Sequence, residues 1–290
     1  MSARRSVTES FNRAAHYDQH AQVQRMVAED LADNISRLPV VLALGSDLRI
    51  LELGCGTGFL SQALTRRGLR GDWLVTDIAP AMVQRCRARM NQEATSATIN
   101  YAVLDAANIP PLPGFQFDLI CSSLAFQWLP DLPSTVANLT RCLAPGGYLA
   151  FTTLLAGSLQ EWADAHRAEG LRTGLHSYPD AQELAAAIPW GNNYTITTID
   201  YVEQHDSAEE FLRGIRGIGA TMAVEDHHPL TPRQLNAVMR AFEDAGSEAT
   251  YRVAHVRMGE RCLGLPPNDH QRTSPPPHPL ESIVLHLGWR

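Results

Sequence analysis

A glycine-rich loop is the most informative stretch of the sequence. Residues 50–53 (ILEL) suit a buried strand, and glycines follow at alternate positions, Gly54, Gly56 and Gly58. Glycine lets the backbone approach a ligand closely while the chain turns into the next helix. The spacing G-x-G-x-G differs from the dinucleotide fingerprint G-x-G-x-x-G. The loop therefore predicts a ligand site between a strand and a helix.

The acid that introduces this loop indicates the charge of the ligand. A pyrophosphate is stabilised at a helix N-terminus but is repelled by a carboxylate such as that of Glu52. A ligand that carries an ammonium and a sulfonium group reverses that preference. S-adenosylmethionine has both groups and no phosphate. The sequence therefore favours S-adenosylmethionine and disfavours a nicotinamide oxidoreductase.

Two further acids lie at the ends of the next predicted strands. Asp77 ends the strand predicted for 72–77, where a carboxylate can bind both hydroxyls of a ribose. Asp105 ends the strand predicted for 99–105, where it can accept a hydrogen bond from an adenine amino group beside the amide of Ala106. Taken singly, each acid is explained equally well by a helix cap or a solvated loop. Three acids at successive strand ends predict a nucleoside crevice, because ligands of open sheets bind at the carboxyl ends of the strands.

The elements that position these residues alternate between strand and helix up to about residue 153. Strands of mostly apolar, branched residues separated by helices imply a parallel sheet covered on both faces. The predicted strands are 49–53, 72–77, 99–105, 117–123, 147–154, 194–204 and 249–258. The predicted helices are 20–38, 59–67, 80–93, 133–142, 158–172, 180–187, 207–220 and 231–245.

Composition excludes several classes of protein. The 290 residues are 44% hydrophobic and 19% charged, which is ordinary for a soluble globular enzyme. The net charge of −7 argues against a nucleic-acid binder. No apolar run reaches the roughly 18 residues of a membrane span, and the N-terminal residues do not resemble a secretory signal. Scattered cysteines without CxxC spacing predict reduced thiols, a cytoplasmic location and no zinc site; they are Cys55, Cys86, Cys121, Cys142 and Cys262.

Four segments resemble the motifs of class I S-adenosylmethionine-dependent methyltransferases. They are ILELGCGTG, VTDIAPAMVQRCR, AVLDAANIPPLPGFQFDLICSSLAFQW and LAPGGYLAFTT, the last being similar to the family's fifth strand with its preceding Gly-Gly turn. The resemblance implies a Rossmann-like α/β fold. Its seven-stranded, mostly parallel sheet has helices on both faces and an antiparallel last strand, here 250–258. The cofactor contacts that it implies are Glu52, Gly54, Cys55, Gly56, Gly58, Asp77, Ile78, Met82, Asp105, Ala106, Ser122 and Gln127.

Three other segments are similar to a narrower family, the BioC-type malonyl-[acyl-carrier protein] O-methyltransferases of biotin synthesis. They are 10–24 (SFNRAAHYDQHAQVQ), 118–131 (DLICSSLAFQWLPD) and the insert 207–243. This resemblance implies a methyltransferase domain over 1–258, with an N-terminal helical arm (1–40), a cofactor-binding core (45–155) and a helical lid (205–246). The Pro-rich tail, 259–290, departs from the family pattern and is predicted to be irregular.

The narrower resemblance also implies the reaction. Such enzymes convert the free carboxylate of a malonyl thioester to its methyl ester, which primes pimeloyl chain synthesis for biotin. A carboxyl group with an ordinary pKa of about 4 is already ionised at neutral pH, so neither a metal nor a general base is required. The implied substrate is malonyl-acyl carrier protein or malonyl-CoA. Two alternatives stay open: a methyltransferase for a small free di- or tricarboxylic acid, and a non-catalytic adenosylmethionine-binding protein.

Four residues are candidates for the acceptor side of such a site. Tyr17 is expected to fold over the cofactor and line the methyl-transfer channel, or to anchor the arm as a packing aromatic. Trp128 is expected to contact the acceptor or to belong to the core. Arg213 or Arg216, on the predicted lid helix, is the candidate partner of the malonyl carboxylate, since the guanidinium fork suits a carboxylate. A solvated helix face explains both arginines as well.

Two further expectations concern basic residues and histidines. An acidic carrier protein requires a local basic patch. Two groups of arginines can form it, namely Arg4, Arg5 and Arg13, or Arg66, Arg67 and Arg70. Histidines outside the core motifs are expected to lie mostly at the surface; they are His16, His20, His166, His176, His205, His227 and His228.

Overall fold

The structure is a computed structural model that describes residues 3–14, 16–109, 116–188, 193–219 and 228–259, with side chains from Val7 onward. Its helices are α1 (Ala3–Arg13), α2 (Tyr17–His20), α3 (Gln22–Ser36), α4 (Pro39–Leu44), α5 (Phe59–Arg66), α6 (Pro80–Met90), α7 (Leu132–Arg141), α8 (Gln160–Ala168), α9 (Ala181–Ala186), α10 (Ala208–Gly217) and α11 (Pro232–Asp244). Its strands are β1 (Arg49–Leu53), β2 (Asp72–Asp77), β3 (Thr98–Val103), β4 (Phe117–Ser122), β5 (Leu143–Leu154), β6 (Tyr194–Gln204) and β7 (Glu248–Gly259).

The strands form one seven-stranded sheet in the order β3-β2-β1-β4-β5-β7-β6. The pairs among β1 to β5 are parallel, whereas β7 runs antiparallel to both β5 and β6. The predicted fold class, including the antiparallel last strand, is confirmed. The strand order reverses between β1 and β4, and open sheets of this kind bind ligands at such a switch point.

Helices cover both faces of the sheet, which explains why β1 is apolar on both sides. Ile50 packs in a cluster with residues of α3 and α5. Leu51 and Leu53 point to the opposite face and pack with residues of α7 and α9. In a strand that is buried on both faces, apolar residues follow one another without alternating with polar ones. The acid Glu52 in that run is therefore an exception that the fold must accommodate.

The predicted lid helices pack on a third cluster, next to β6 and β7. Trp162 of α8 lies against Phe211 of α10 and Phe242 of α11, with ring centroids 5.1 and 5.4 Å apart. Phe211 and Phe242 are also in contact, at 5.0 Å. All three side chains are buried. The helical insert therefore packs in a hydrophobic cluster separate from the two on the faces of β1. Its role as a lid stays a prediction.

One local prediction is wrong. The Gly-Gly turn predicted before the fifth strand lies inside β5, where the pairing with β4 shifts after Phe117 and Gly146 adopts a positive φ of 76°. Of the histidines expected mostly at the surface, four of the six described are at least partly exposed. His166 and His205 are the exceptions, buried among the packed helices and strands of the third cluster.

The predicted tail lies, from residue 260 onward, outside the described residues, as do His227 and Cys262. Within the described part of the chain, no helix combines the length and the apolar character that crossing a membrane requires.

Candidate active site

Asp77 holds the glycine loop in place at the carboxyl edge of the sheet. Its Oδ2 accepts a hydrogen bond from the backbone N–H of Gly56 (2.9 Å), and its Oδ1 accepts one from the N–H of Ala79 (2.8 Å). The Asp77 side chain is buried, and desolvation raises the pKa of its carboxyl group although these N–H groups act in the opposite direction. Asp77 therefore joins the loop after β1 to the start of α6, and Ile78 lies between the two contacts.

Glu52 is covered by the fold. Its side chain is only 1% exposed, and Oε2 accepts a hydrogen bond of 2.5 Å from the hydroxyl of Ser61 in α5. Burial raises the pKa of the Glu52 carboxyl group to about 7, and the bond from Ser61 opposes this shift. A buried acid with such a pKa is poised to ionise when a cation comes near. The contact between Glu52 and a ligand ammonium stays a prediction.

The glycines of the loop have left-handed or close-packed backbones. Gly54 has a φ of 64°, and a Cβ placed there lies 2.4 Å from the Cβ of Ala125. At Gly58, with a φ of 92°, a Cβ lies 2.9 Å from the sulfur of Cys86. Gly56 has a φ of 54° and open space around it. Between them, Cys55 is buried, and its N–H donates to the carbonyl of Thr76 (2.9 Å). A side chain at Gly54 or Gly58 is thus disfavoured by steric overlap and by the left-handed backbone, and one at Gly56 by the left-handed backbone alone.

Asp105 follows β3 and caps a short 3-10 helix, Ala106–Asn108. Its carboxylate accepts hydrogen bonds from the N–H of Ala107 (3.0 Å) and from the side-chain amide of Asn108 (2.9 Å). The cap geometry and the predicted adenine contact do not exclude each other, since a carboxylate has about four acceptor positions. Asp105 and Ala106 are partly exposed at the same sheet edge as Asp77.

Two predicted contacts after β4 bind their own backbone. The hydroxyl of Ser122 donates to the carbonyl of Leu53 (2.8 Å), which ties the ends of β4 and β1 together. The side-chain amide of Gln127 donates to the carbonyl of Leu124 (2.7 Å). Its other atom, Oε1, is buried without a hydrogen-bond partner among the described residues. An unpaired acceptor at this place suits a ligand with N–H donors.

The N-terminal arm lies over the start of α6. Met82 is buried in a small cluster with Ala14 and Ala79, and Tyr17 packs against it. The carbonyl oxygen of the Asn12 side chain accepts the N–H of Ala81 (3.1 Å). The arm and the loop that carries Asp77 thus form two walls of one crevice.

Tyr17 connects this crevice to a cavity of about 530 Å³, a volume typical of small-molecule sites. Its partly buried ring is tilted against Phe59, with centroids 6.4 Å apart. Burial and the nearby carboxylates of Asp77 and Asp18 raise the pKa of the Tyr17 hydroxyl. That hydroxyl therefore stays protonated at neutral pH and is no general base.

The cavity distinguishes between the two arginines of α10. Both arginines are exposed, but Arg216 lines the cavity and Arg213 is not part of the lining. Trp128 also lines the cavity, and its ring packs edge-on against Phe11 at 5.7 Å. The remaining wall is mainly apolar and includes Leu154, Leu159, Trp162, Leu212 and Leu230. The site can thus desolvate an anionic ligand beside one exposed cation.

The sequence prediction did not assign Gln24 or His176 to the site. Both line the cavity, and each has a buried atom without a hydrogen-bond partner in the described part of the chain, Oε1 of Gln24 and Nε2 of His176. Gln24 ends the segment 10–24, whose resemblance gave it no role, and His176 lies in no motif. The two residues line one cavity because α3 and the loop after α8 both reach it, which no local pattern encodes.

One of the two predicted basic patches is largely neutralised. Arg66 pairs with Glu93 at 2.8 Å, and Arg67 pairs with Glu29 at 2.7 Å and Asp33 at 2.6 Å. Arg70, the third member of this patch, donates a hydrogen bond to the hydroxyl of Ser96. In the other predicted patch, Arg13 pairs with Glu9. The side chains of Arg4 and Arg5 lie outside the described part of the chain.

Comparisons with known proteins agree with this geometry. The family described as "Methyltransferase domain" matches residues 51–151. The chain is 43% identical over 252 residues to a biotin biosynthesis bifunctional protein, BioCD, of Bordetella avium, covering 87% of the chain and 51% of the relative. It thus spans about half of that relative's length.

Two further similarities cover nearly whole proteins. A malonyl-[acyl-carrier protein] O-methyltransferase of Magnetococcus marinus is 33% identical over 251 residues, which is 86% of the chain and 90% of the relative. The YcgJ protein of Bacillus subtilis superposes with a TM-score of 0.55 at 13% identity, over 81% of the chain and 98% of that protein. The latter similarity concerns the fold alone.

Proposed function

Because the chain belongs to the malonyl-[acyl-carrier protein] O-methyltransferase family, we propose that it methylates the free carboxylate of a malonyl thioester, a step towards biotin. S-adenosylmethionine is the methyl donor. The observation that carries the proposal is the position of the cavity. Tyr17 belongs to its wall and also packs against Ala79 and Met82, in the segment that follows Asp77 at the strand edge.

The residues at the strand edge suit this donor. In this proposal the carboxylates of Asp77 and Asp105 accept hydrogen bonds from the hydroxyl and amino groups of the adenosine. Glu52, with its pKa near 7, and the unpaired Oε1 of Gln127 both favour a cation or an N–H donor. When bound, the donor supplies an electrophilic methyl group on a sulfonium. The acceptor oxygen forms the new C–O bond while the S–CH₃ electrons return to sulfur, so no proton has to move.

The protein contributes positioning and desolvation. An ionised carboxylate becomes a better nucleophile when its hydration shell is removed, and in-line displacement requires alignment of the reacting atoms. The apolar cavity wall removes water, and Arg216 supplies a positive charge for the carboxylate. The protonated hydroxyl of Tyr17 closes the passage between donor and acceptor without taking up a proton. No general base is needed in this reaction.

Mass spectrometry of malonyl-acyl carrier protein after incubation with S-adenosylmethionine tests the proposal. We expect the carrier-linked malonyl group to gain one methyl group that is lost again on ester hydrolysis. Malonyl-CoA and free malonate serve as parallel acceptors. Equal methylation of free malonate would favour a small-acid methyltransferase. No methylation, combined with tight binding of adenosylhomocysteine, would favour a non-catalytic binding protein.

A further inference from the structure

The cavity beside Trp128 holds buried polar atoms that the fold leaves unpaired. They are Oε1 of Gln24, Oε1 of Gln127 and Nε2 of His176, and none has a hydrogen-bond partner among the described residues. Buried polar groups are nearly always hydrogen-bonded, since an unpaired one is costly. Three such atoms on one cavity wall indicate that a ligand with matching polar groups completes them.

His176 is held rigidly enough to bind such a ligand. It lies in the irregular segment 171–180, which is fixed at its start by the bond from Leu171 N–H to the carbonyl of His166 (2.9 Å). The end of the segment is fixed by the bond from Ala156 N–H to the carbonyl of Pro179 (2.9 Å). The imidazole ring packs edge-to-face on Trp128, with centroids 5.9 Å apart and an interplanar angle of 78°.

The other polar groups of the cavity differ from His176 in what they can bind. His166 is engaged, since its Nδ1 lies 2.9 Å from the carbonyl of Trp162. Arg216 is a full cation and matches the carboxylate end of a malonyl group. A malonyl thioester has a second polar group, the neutral thioester carbonyl, whose oxygen needs a hydrogen-bond donor when buried. An imidazole protonated at Nε2 is such a donor.

On the basis of the proposed function, we propose that His176 is an acceptor-binding residue that donates a hydrogen bond from Nε2–H to the thioester carbonyl oxygen of the acceptor. Arg216 and His176 then bind the two ends of the malonyl group, one by charge and the other by a neutral hydrogen bond. The second carboxylate of free malonate can accept the same hydrogen bond, but it places a second charge against the apolar cavity wall, which is costly.

Steady-state kinetics with malonyl-acyl carrier protein tests this assignment in the full chain. We expect His176→Leu to raise the KM for the malonyl thioester about tenfold, at unchanged affinity for adenosylhomocysteine. His176→Gln keeps an N–H donor at the ε position and should stay within about threefold of the wild type. Ser177→Ala, on the exposed neighbouring residue outside the cavity lining, should leave the KM unchanged.

The outcomes separate this inference from the proposed function. If the wild type methylates the malonyl thioester and His176→Leu has a wild-type KM, the assignment of His176 is wrong and the proposed function stands. If the wild type itself fails to methylate it, the proposed function is wrong.

A second measurement decides the matter if His176→Leu does not fold. The ¹⁵N resonance of His176 Nε2, identified by its loss in His176→Gln, should shift when malonyl-N-acetylcysteamine is added to the wild-type adenosylhomocysteine complex. An unchanged resonance contradicts the assignment.

Discussion

The carboxylate of Asp77 accepts the backbone N–H of Gly56 across 2.9 Å, so the second strand of the sheet fixes the loop that follows the first strand. The same carboxylate accepts the N–H of Ala79 at the start of α6. One side chain therefore sets the positions of two segments at the carboxyl edge of the sheet. This arrangement explains why an acid is buried there although desolvation raises its pKa.

The first prediction concerns this carboxylate. Asp77→Asn replaces one acceptor oxygen by an NH₂ group, which then faces a backbone N–H. We expect a loss of about 1–3 kcal/mol in the free energy of unfolding and at least about tenfold weaker binding of adenosylhomocysteine. Urea unfolding and calorimetry measure the two effects. Asp200→Asn, which alters an exposed pair with Arg252, is the control and should change neither by much. If Asp77→Asn bound adenosylhomocysteine as tightly as the wild type, the role of Asp77 in holding the glycine loop for the ligand would be contradicted.

The second prediction concerns Gly54. Gly54→Ala introduces a Cβ that lies 2.4 Å from that of Ala125, at a φ of 64°. Gly68→Ala is a matched control, because Gly68 has a φ of 82° but nothing within 4 Å of the added Cβ. In both variants the left-handed backbone of a non-glycine residue costs about 1–2 kcal/mol. Gly54→Ala must in addition displace Ala125. We expect only Gly54→Ala to abolish adenosylhomocysteine binding in calorimetry. Equal binding by both variants would exclude a steric role for Gly54.

The third prediction is a pH dependence of stability. The pKa of Glu52 is raised from 4.5 to about 7 in the folded protein, so the folded state binds this proton more tightly than the unfolded state. The stabilising effect is complete below about pH 4.5 and is lost as the pH rises through about 7. Glu52→Gln removes this dependence. The difference in free energy of unfolding between Glu52→Gln and the wild type should therefore shift in favour of Glu52→Gln, by on the order of 3 kcal/mol, as the pH rises from about 4.5 to about 8.

Urea unfolding of the ligand-free protein at both pH values checks the result. Glu209→Gln, on the exposed face of α10, is the control and should track the wild type at both. If the difference between wild type and Glu52→Gln is the same at both pH values, the Glu52 carboxyl group titrates alike in the folded and unfolded states.

The fourth prediction separates the arginines of α10. Arg216→Ala removes the cation that lines the cavity, and we expect the KM for the malonyl thioester to rise by at least about tenfold. Arg213→Ala removes an exposed charge outside the lining and should change the KM by less than about twofold. Steady-state kinetics at saturating S-adenosylmethionine gives both values. A larger effect in Arg213→Ala would place the carboxylate on the other side of the helix.

The sequence by itself determined the seven strands, the helices α3 and α5 to α11, the antiparallel last strand and the positions of the acids. These features follow from local patterns and from a family resemblance carried by contiguous motifs. The common position of Asp77 and Asp105 at one edge of the sheet was predictable, because the carboxyl ends of parallel strands meet there whatever the loops do.

Only the tertiary structure decided what each side chain faces. It buried Glu52 beside Ser61, and this burial raises the pKa of the Glu52 carboxyl group although the hydrogen bond from Ser61 opposes the shift. It brought Arg216 rather than Arg213 to the cavity, and it placed His176 against Trp128. Such contacts join residues far apart in the chain, and they depend on how helices pack and loops end. No periodicity or spacing within one segment records that information.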